Sequence, residues 1–306
     1  MRFLPDERLY SDTAHCLRYL REAETSNQGW PGGERFHLYW SGPFSPKQAF
    51  AVKSVLATQD VGRGDVWLWL DAHNGYIDHD RNPVLAPLLP HLSVRPFDPV
   101  AECRGTPLEG NPELYEGVTP TALSDLVRVV ALYKHGGIYL DIDMMLLRDL
   151  GELVGEPFGA EEFCYRWSDR PHANHAVLRL RRGSGTAHAI LERCVEERSC
   201  DPRSVLGFDG NENLDVTVLP CAAFDPLWLH ADGKDAFTGA PFDGFEGFFR
   251  KFGWRFRPSR SIHSYRDFFP GAFAFHWHNQ WDAPEHERSY FGRFDHEFDA
   301  LLEKPA

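Results

Sequence analysis

Residues 119–143, TPTALSDLVRVVALYKHGGIYLDID, set a helix and a strand back to back, and no other stretch of the 306-residue chain constrains the fold as tightly. Thr119 is a fitting N-cap with Pro120 at the first helical position, and Leu123, Leu126, Val127, Val130 and Ala131 share one apolar face. The helix stops at His-Gly-Gly, where Gly136 can take a left-handed C-cap. The chain returns at once as the strand Ile138-Tyr139-Leu140, whose carboxyl end delivers Asp141 and Asp143. Open α/β sheets bind their ligands at that end of a strand.

The segments upstream repeat this alternation. RFHLYWSG reads as a short aromatic strand and SPKQAFAVKSVLATQ as a helix with Ser45 at the N-cap, while DVWLWLD reads as an apolar strand. Strand, helix, strand in this order predicts a βαβ unit with a buried parallel sheet. The opening DERLYSDTAHCLRYLREAE predicts a surface helix over about 5–25. The Gly-rich TSNQGWPGGE follows as a break, and the compact fold is expected to start near Arg35. With no internal repeat or low-complexity linker, residues 1–306 read as a single domain. Its core runs from about 35 to 230, and the segment 231–306, closed by the helix FGRFDHEFDALLEK, completes the site.

Composition narrows the partners. A net charge of −13 excludes broad nucleic-acid binding, which draws its affinity from clustered cations. No stretch has the length of a membrane helix or of a signal-peptide apolar region, so the expectation is a cytoplasmic chain with no integral membrane segment, peripheral to the inner membrane surface at most. The six cysteines form no CxxC pair, which removes a zinc or disulfide framework from consideration. The local excess of positive charge lies at 243–260, where Arg250, Lys251, Arg255, Arg257 and Arg260 alternate with aromatics.

If the strand persists through Ile142, Asp141 and Asp143 point to the same side and can share one cation. Carboxylate oxygens suit Mn²⁺ or Mg²⁺, ions that commonly bind through one or two carboxylates plus substrate phosphates. The bare tripeptide is equally a turn or a cap. What changes its weight is the preceding helix, where Asp125 and Arg128 are neighbours on one face. An arginine aimed at the strand end can bind phosphate, and an aspartate can accept sugar hydroxyls.

The run Ser-Asp-x-x-Arg, apolar helix, Gly-Gly-Ile-Tyr-x-Asp-x-Asp resembles the DXD-containing sugar transferases of glycosyltransferase family 32, with their relatives the α-1,4-galactosyltransferases and the large clostridial glucosylating toxins. The resemblance implies a GT-A-type α/β fold, with a central, mostly parallel sheet flanked by helices. It also implies a retaining transfer of a hexose from a nucleotide sugar, UDP-hexose above all, in the presence of Mn²⁺ or Mg²⁺. Asp125 and Arg128 would contact the donor sugar and its diphosphate, Tyr139 would lie against the nucleotide, Asp141 would touch ribose or metal, and Asp143 would ligate the metal. FHLYWSG resembles the family's first strand, which maps base stacking to Trp40 and puts the Tyr39 backbone beside the base. AFAFHWHNQW resembles its C-terminal histidine motif, with His276 as the metal ligand and His278 as the runner-up, and with Trp281 as a wall of the donor site. Asn174 falls where relatives present an asparagine to the sugar. The implied acceptor is a glycan, a lipid-linked glycan or a protein, with polysaccharide biosynthesis as the setting. Two other readings compete: a haloacid-dehalogenase-like phosphotransferase with Asp141 as nucleophile, and a non-catalytic nucleotide-sugar-binding protein.

Overall fold

The computed structural model describes residues 1–23, 33–62, 65–72, 74, 76, 78–211 and 214–303. The strands are β1 (Arg2–Phe3), β2 (Phe36–Trp40), β3 (Val66–Asp71), β4 (Ser93–Phe97), β5 (Gly137–Leu140), β6 (Met144–Leu146), β7 (Phe163–Arg166), β8 (Ala173–Leu180), β9 (Thr217–Leu219) and β10 (Ala274–His276). The helices are α1 (Thr13–Glu22), α2 (Pro46–Thr58), α3 (Pro99–Cys103), α4 (Pro120–His135), α5 (Gly185–Glu197), α6 (Pro202–Val205), α7 (Trp228–Ala231) and α8 (Tyr290–Leu302). Eight strands form one sheet in the order β1-β9-β7-β8-β5-β2-β3-β4, and β10 pairs with β6 in a second, two-stranded sheet. In the large sheet β8 runs antiparallel to both neighbours and every other pair is parallel. This is the mostly parallel α/β sheet expected.

Strand alternation divides the core between the two faces. Phe36, Leu38, Leu68, Leu70, Ile138 and Leu140 join one cluster with α2, α8 and the C-terminal aromatics. Tyr39, Trp67, Trp69 and Tyr139 point the other way, into a cluster with α4 and α5. Both faces are covered, as parallel strands require. All six cysteines are buried free thiols. Among the described residues no helix is long and apolar enough to cross a membrane.

Three local expectations change. The fold does not begin near Arg35: β1 pairs with β9 at the sheet edge and α1 buries Cys16, Leu17 and Leu20 against the core. The predicted helix over 5–25 is a 3₁₀ turn, Glu7–Tyr10, followed by α1, because the Asp12 side chain accepts the His15 N–H and starts the helix afresh. The break it leads into lies largely in 24–32, outside the described residues. Gly136 does end α4, but at φ 66° and ψ 177°, an extended positive-φ conformation and not the left-handed helical one. Gly137 follows at φ 112°, and a Cβ there would collide with the Arg35 carbonyl oxygen. Gly137→Ala should therefore cost about 3 kcal/mol or more, read as a lowered denaturation midpoint.

His37 fixes this helix-to-strand return from below. Fully buried in β2, its Nε2 donates to the Gly136 carbonyl at 2.9 Å while its Nδ1 accepts the Trp69 indole N–H at 3.0 Å. Burial pushes the imidazole down to about 3. Since the folded value lies below the unfolded one near 6.5, the stabilisation is full above pH 6.5 and is lost as pH falls toward 3. Between pH 7 and 4.5 this site should cost the native state about 2–3 kcal/mol, a component of the pH slope that His37→Phe, though less stable at neutral pH, should lack in denaturant titrations.

Candidate functional site

A cleft of about 480 Å³ opens at the carboxyl ends of β2 and β5, between α4 and the C-terminal segment after β10. All eleven residues singled out from sequence line it: Tyr39, Trp40, Asp125, Arg128, Tyr139, Asp141, Asp143, Asn174, His276, His278 and Trp281. They come from four separate regions of the chain, so the fold, and not sequence proximity, collects them.

The N-terminal half of α4 faces the sheet end because Thr119 caps it and its apolar stripe is buried on the sheet. Arg128, 4% exposed, is the hub. Its Nη2 lies 3.1 Å from Asp125 and 3.0 Å from Asp141, tying the helix directly to the first carboxylate of the DxD. Its Nη1 reaches His175 Nδ1 at 2.9 Å and the His175 carbonyl at 3.0 Å, and Nε reaches the Ser124 carbonyl at 3.3 Å. The guanidinium also sits 4.8 Å from the centre of the Tyr139 ring, whose hydroxyl meets Ser124 at 3.0 Å. Every guanidinium nitrogen thus has a protein partner. A contact with a donor diphosphate requires Arg128 to exchange one of them.

The two aspartates converge by a route that strand alternation did not anticipate. β5 ends at Leu140, and 141–143 form a turn into β6, with the Asp141 N–H donating to Ala176 at 2.8 Å. Ile142 turns into the core while the flanking carboxylates face the cleft. The pairing of β10 with β6 places His276 opposite Met144, and its Nε2 lies 3.1 Å from Asp143. Asp143 also accepts the Asn279 N–H at 2.8 Å. Donor atoms of Asp141, Asp143 and His276 all lie within 4.8 Å of one another. Two carboxylate oxygens and an imidazole nitrogen are a donor set that could hold a divalent cation.

Electrostatics separates these groups. Burial raises Asp125 to about 7, only partly opposed by Arg128, and burial likewise raises Asp141 against the pull of the same arginine. Asp143 goes the other way: the cost of burial is outweighed by His276 and by the Asn279 N–H, which hold it ionised. His276 is correspondingly pushed up to about 9, the Asp143 charge overcoming burial. A proton on His276 thus supplies the positive charge that a divalent cation would bring, and a cation bound there would displace that proton.

His276 and His278 do not lie along one strand. β10 ends at His276, and His278 and Asn279 take positive φ of 50° and 55°. The rings still stack, with centroids 3.8 Å apart, but His278 turns to Asp225 at 2.6 Å, away from the DxD carboxylates. Asp225, His276 and His278 make a second cluster of metal-type donors sharing His276. Asp225 and His175 were not read from sequence. For Asp225 the available signal was a lone acid inside the apolar run LPCAAFDPLWL.

At the other wall Trp40 and Trp281 lie 4.8 Å apart at 52°, Trp40 held by an indole bond to the Pro43 carbonyl at 2.9 Å and Trp281 by Asn279 at 3.0 Å. The buried Lys47 ammonium donates to the carbonyls of Gln280, Trp281 and Ala283 at 2.5, 2.7 and 2.6 Å, pinning the C-terminal loop to the start of α2. Asn174, which lines the cleft, accepts the Ala176 N–H on its side-chain oxygen at 2.7 Å.

Residues 109–163 match the family model described as a glycosyltransferase sugar-binding region containing a DXD motif. The match spans Asp125, Arg128, Tyr139, Asp141 and Asp143 and leaves the remaining cleft residues outside. The part of the chain that supplies the helix and both aspartates of the cleft is thus similar to the sugar-binding region of DXD-containing glycosyltransferases. Solved structures with similarity to the chain include PaToxG glycosyltransferase, at 13% identity over 64% of this chain and 71% of that one, with a TM-score of 0.43. Galactosyltransferase LgtC in complex with donor and acceptor sugar analogs has 16% identity over 89% of this chain and 97% of that one, with a TM-score of 0.42. The apo form of GlyE from Streptococcus pneumoniae TIGR4 has 12% identity over 89% of this chain and a TM-score of 0.46, and the chain spans 61% of its length. No curated protein matches the chain.

Proposed function

We propose that the protein is a metal-dependent, retaining hexosyltransferase that takes its sugar from a nucleotide donor, UDP-hexose first, and passes it to a glycan or lipid-linked glycan acceptor in polysaccharide synthesis. The observation that carries this reading is the unbroken chain Asp125–Arg128–Asp141 abutting Asp143–His276 in one cleft, with two tryptophans at its other wall. Trp40 and Trp281 would hold the base, Tyr139 and Asp141 the nucleoside side, and Asp125 and Asn174 the sugar hydroxyls. Asp141, Asp143 and His276 would hold Mn²⁺ or Mg²⁺, which supplies charge neutralisation of the departing diphosphate. Arg128 adds fixed positive charge beside that group and keeps Asp141 oriented. Each carboxylate lining the cleft already has a partner: Asp125 and Asp141 hold Arg128, Asp143 holds His276, and Asp201 holds Arg203. Asp141, tied to Arg128 and grouped with Asp143 and His276, is placed as a cation ligand would be, which favours that role over a phosphate nucleophile.

A panel of UDP- and GDP-sugars incubated with the chain and Mn²⁺ should give slow nucleotide release from one donor, abolished by chelation. Donor binding without release or transfer at any metal concentration would overturn the enzyme reading of the cleft. With the hydrolysed donor in hand, Trp40→Ala should raise KM by about ten- to a hundredfold with a much smaller change in kcat, since stacking on a base is worth about 1–3 kcal/mol and is made equally in ground and transition states.

A further inference from the structure

Among the described residues the large apolar side chains exposed to solvent are Phe3, Val100 and Trp254, and Trp254 is the most exposed at 77%. It stands in RKFGWRFRPSR, residues 250–260, which carries Arg250, Lys251, Arg255, Arg257 and Arg260 and no acid, in a chain of net charge −13. None of the five cations enters an ion pair among the described residues. The loop is nonetheless held in place. Phe252 is buried edge-on against Tyr290 at 4.9 Å, its N–H donates to the Arg288 carbonyl at 2.6 Å, and the Ser259 N–H donates to the Tyr290 hydroxyl at 2.8 Å. Between these anchors the Gly253 N–H donates to the Phe256 carbonyl at 2.7 Å, leaving Trp254 and Arg255 at the tip, with the Arg255 guanidinium 4.4 Å from the indole centre. The turn just before the loop packs Phe245 on His278 at 4.4 Å, so the loop continues directly from the wall of the cleft.

We propose that this loop docks the protein on an anionic lipid surface, with the Trp254 ring at headgroup depth and the five cations against lipid phosphates. An indole is at home at a membrane interface, where its ring is sheltered and its N–H stays wet. Each Lys or Arg near an anionic leaflet raises partition by about fivefold, an effect confined to about a Debye length of the surface. A soluble polyanion would satisfy the cations but give an outward-facing indole little to gain, and it is the exposed ring that selects a lipid surface. Docking here would bring the cleft beside membrane-held acceptors.

Cosedimentation of the chain with vesicles tests this without nucleotide sugar, so its outcome is independent of the proposed transfer activity. The chain should pellet with phosphatidylcholine vesicles containing phosphatidylglycerol, remain in solution with phosphatidylcholine alone, and be released by high salt. Trp254→Ala and the pair Arg255→Glu with Arg257→Glu should each weaken binding by about tenfold or more, with thermal midpoints and donor hydrolysis unchanged. Equal binding of Trp254→Ala and the wild type would overturn the proposal, as would equal binding to neutral vesicles. Heparin binding that is tight in the wild type and indifferent to Trp254 would reassign the loop to a soluble polyanion.

Discussion

Asp143→Asn is expected to reduce turnover by about a hundred- to a thousandfold while leaving the thermal midpoint within a few degrees of the wild type. The amide has the shape of the carboxylate and can still accept the Asn279 N–H through its carbonyl oxygen, so the turn between β5 and β6 keeps its backbone contact. What disappears is the negative charge that faces His276 and that a cation would require. Rates measured over a Mn²⁺ titration separate the two contributions. Activity restored at saturating metal would assign Asp143 to affinity alone, and wild-type activity throughout would remove it from the mechanism. The same titration on His276→Ala should show weakened metal dependence with a smaller rate loss, because two carboxylates remain.

Arg128→Met should destabilise the fold by about 3–5 kcal/mol, among the largest losses a single side chain here can cause. Methionine fills most of the volume but strands Asp125, Asp141 and the His175 acceptor, all gathered around one buried guanidinium. Because the loss comes from uncompensated partners, Arg128→Met combined with Asp125→Asn should recover part of it. A double-mutant cycle in denaturant should give a coupling of about 1–3 kcal/mol. A single-mutant cost below about 1 kcal/mol would mean that Arg128 is far better hydrated than its burial indicates.

The centre of this site was legible because its information is local. The Thr119 cap, the apolar stripe of α4 and the Gly-Gly stop are written within one stretch of chain, and helical spacing alone made Asp125 and Arg128 neighbours. The geometry of the DxD was less so. Its carboxylates meet through a turn, and the alternation rule reached a similar outcome by a different path. His276 and His278 could not be distinguished by periodicity, since the chain leaves the strand after His276 and His278 takes positive φ and meets Asp225, 53 residues away. Asp225 has no neighbour in sequence to announce it, and the full engagement of Arg128 depends on His175, brought in by β8. The two-residue β1 has too few side chains to show any pattern; its place comes from the free edge that β9 offers.

The lysine at the start of α2 and the C-terminal loop it grips are 233 residues apart, and Asp143 is 136 residues from the Asn279 amide that steadies it. A nascent chain emerging from the ribosome can build β2, β3 and β5 and display the DxD long before β10 exists to bring His276 against it. Until those last residues are made, the cleft lacks Trp281 at one wall, and Asp143 lacks both the His276 imidazole and the Asn279 N–H. The cleft takes its full set of side chains only once the strand Ala274–His276 has paired with β6.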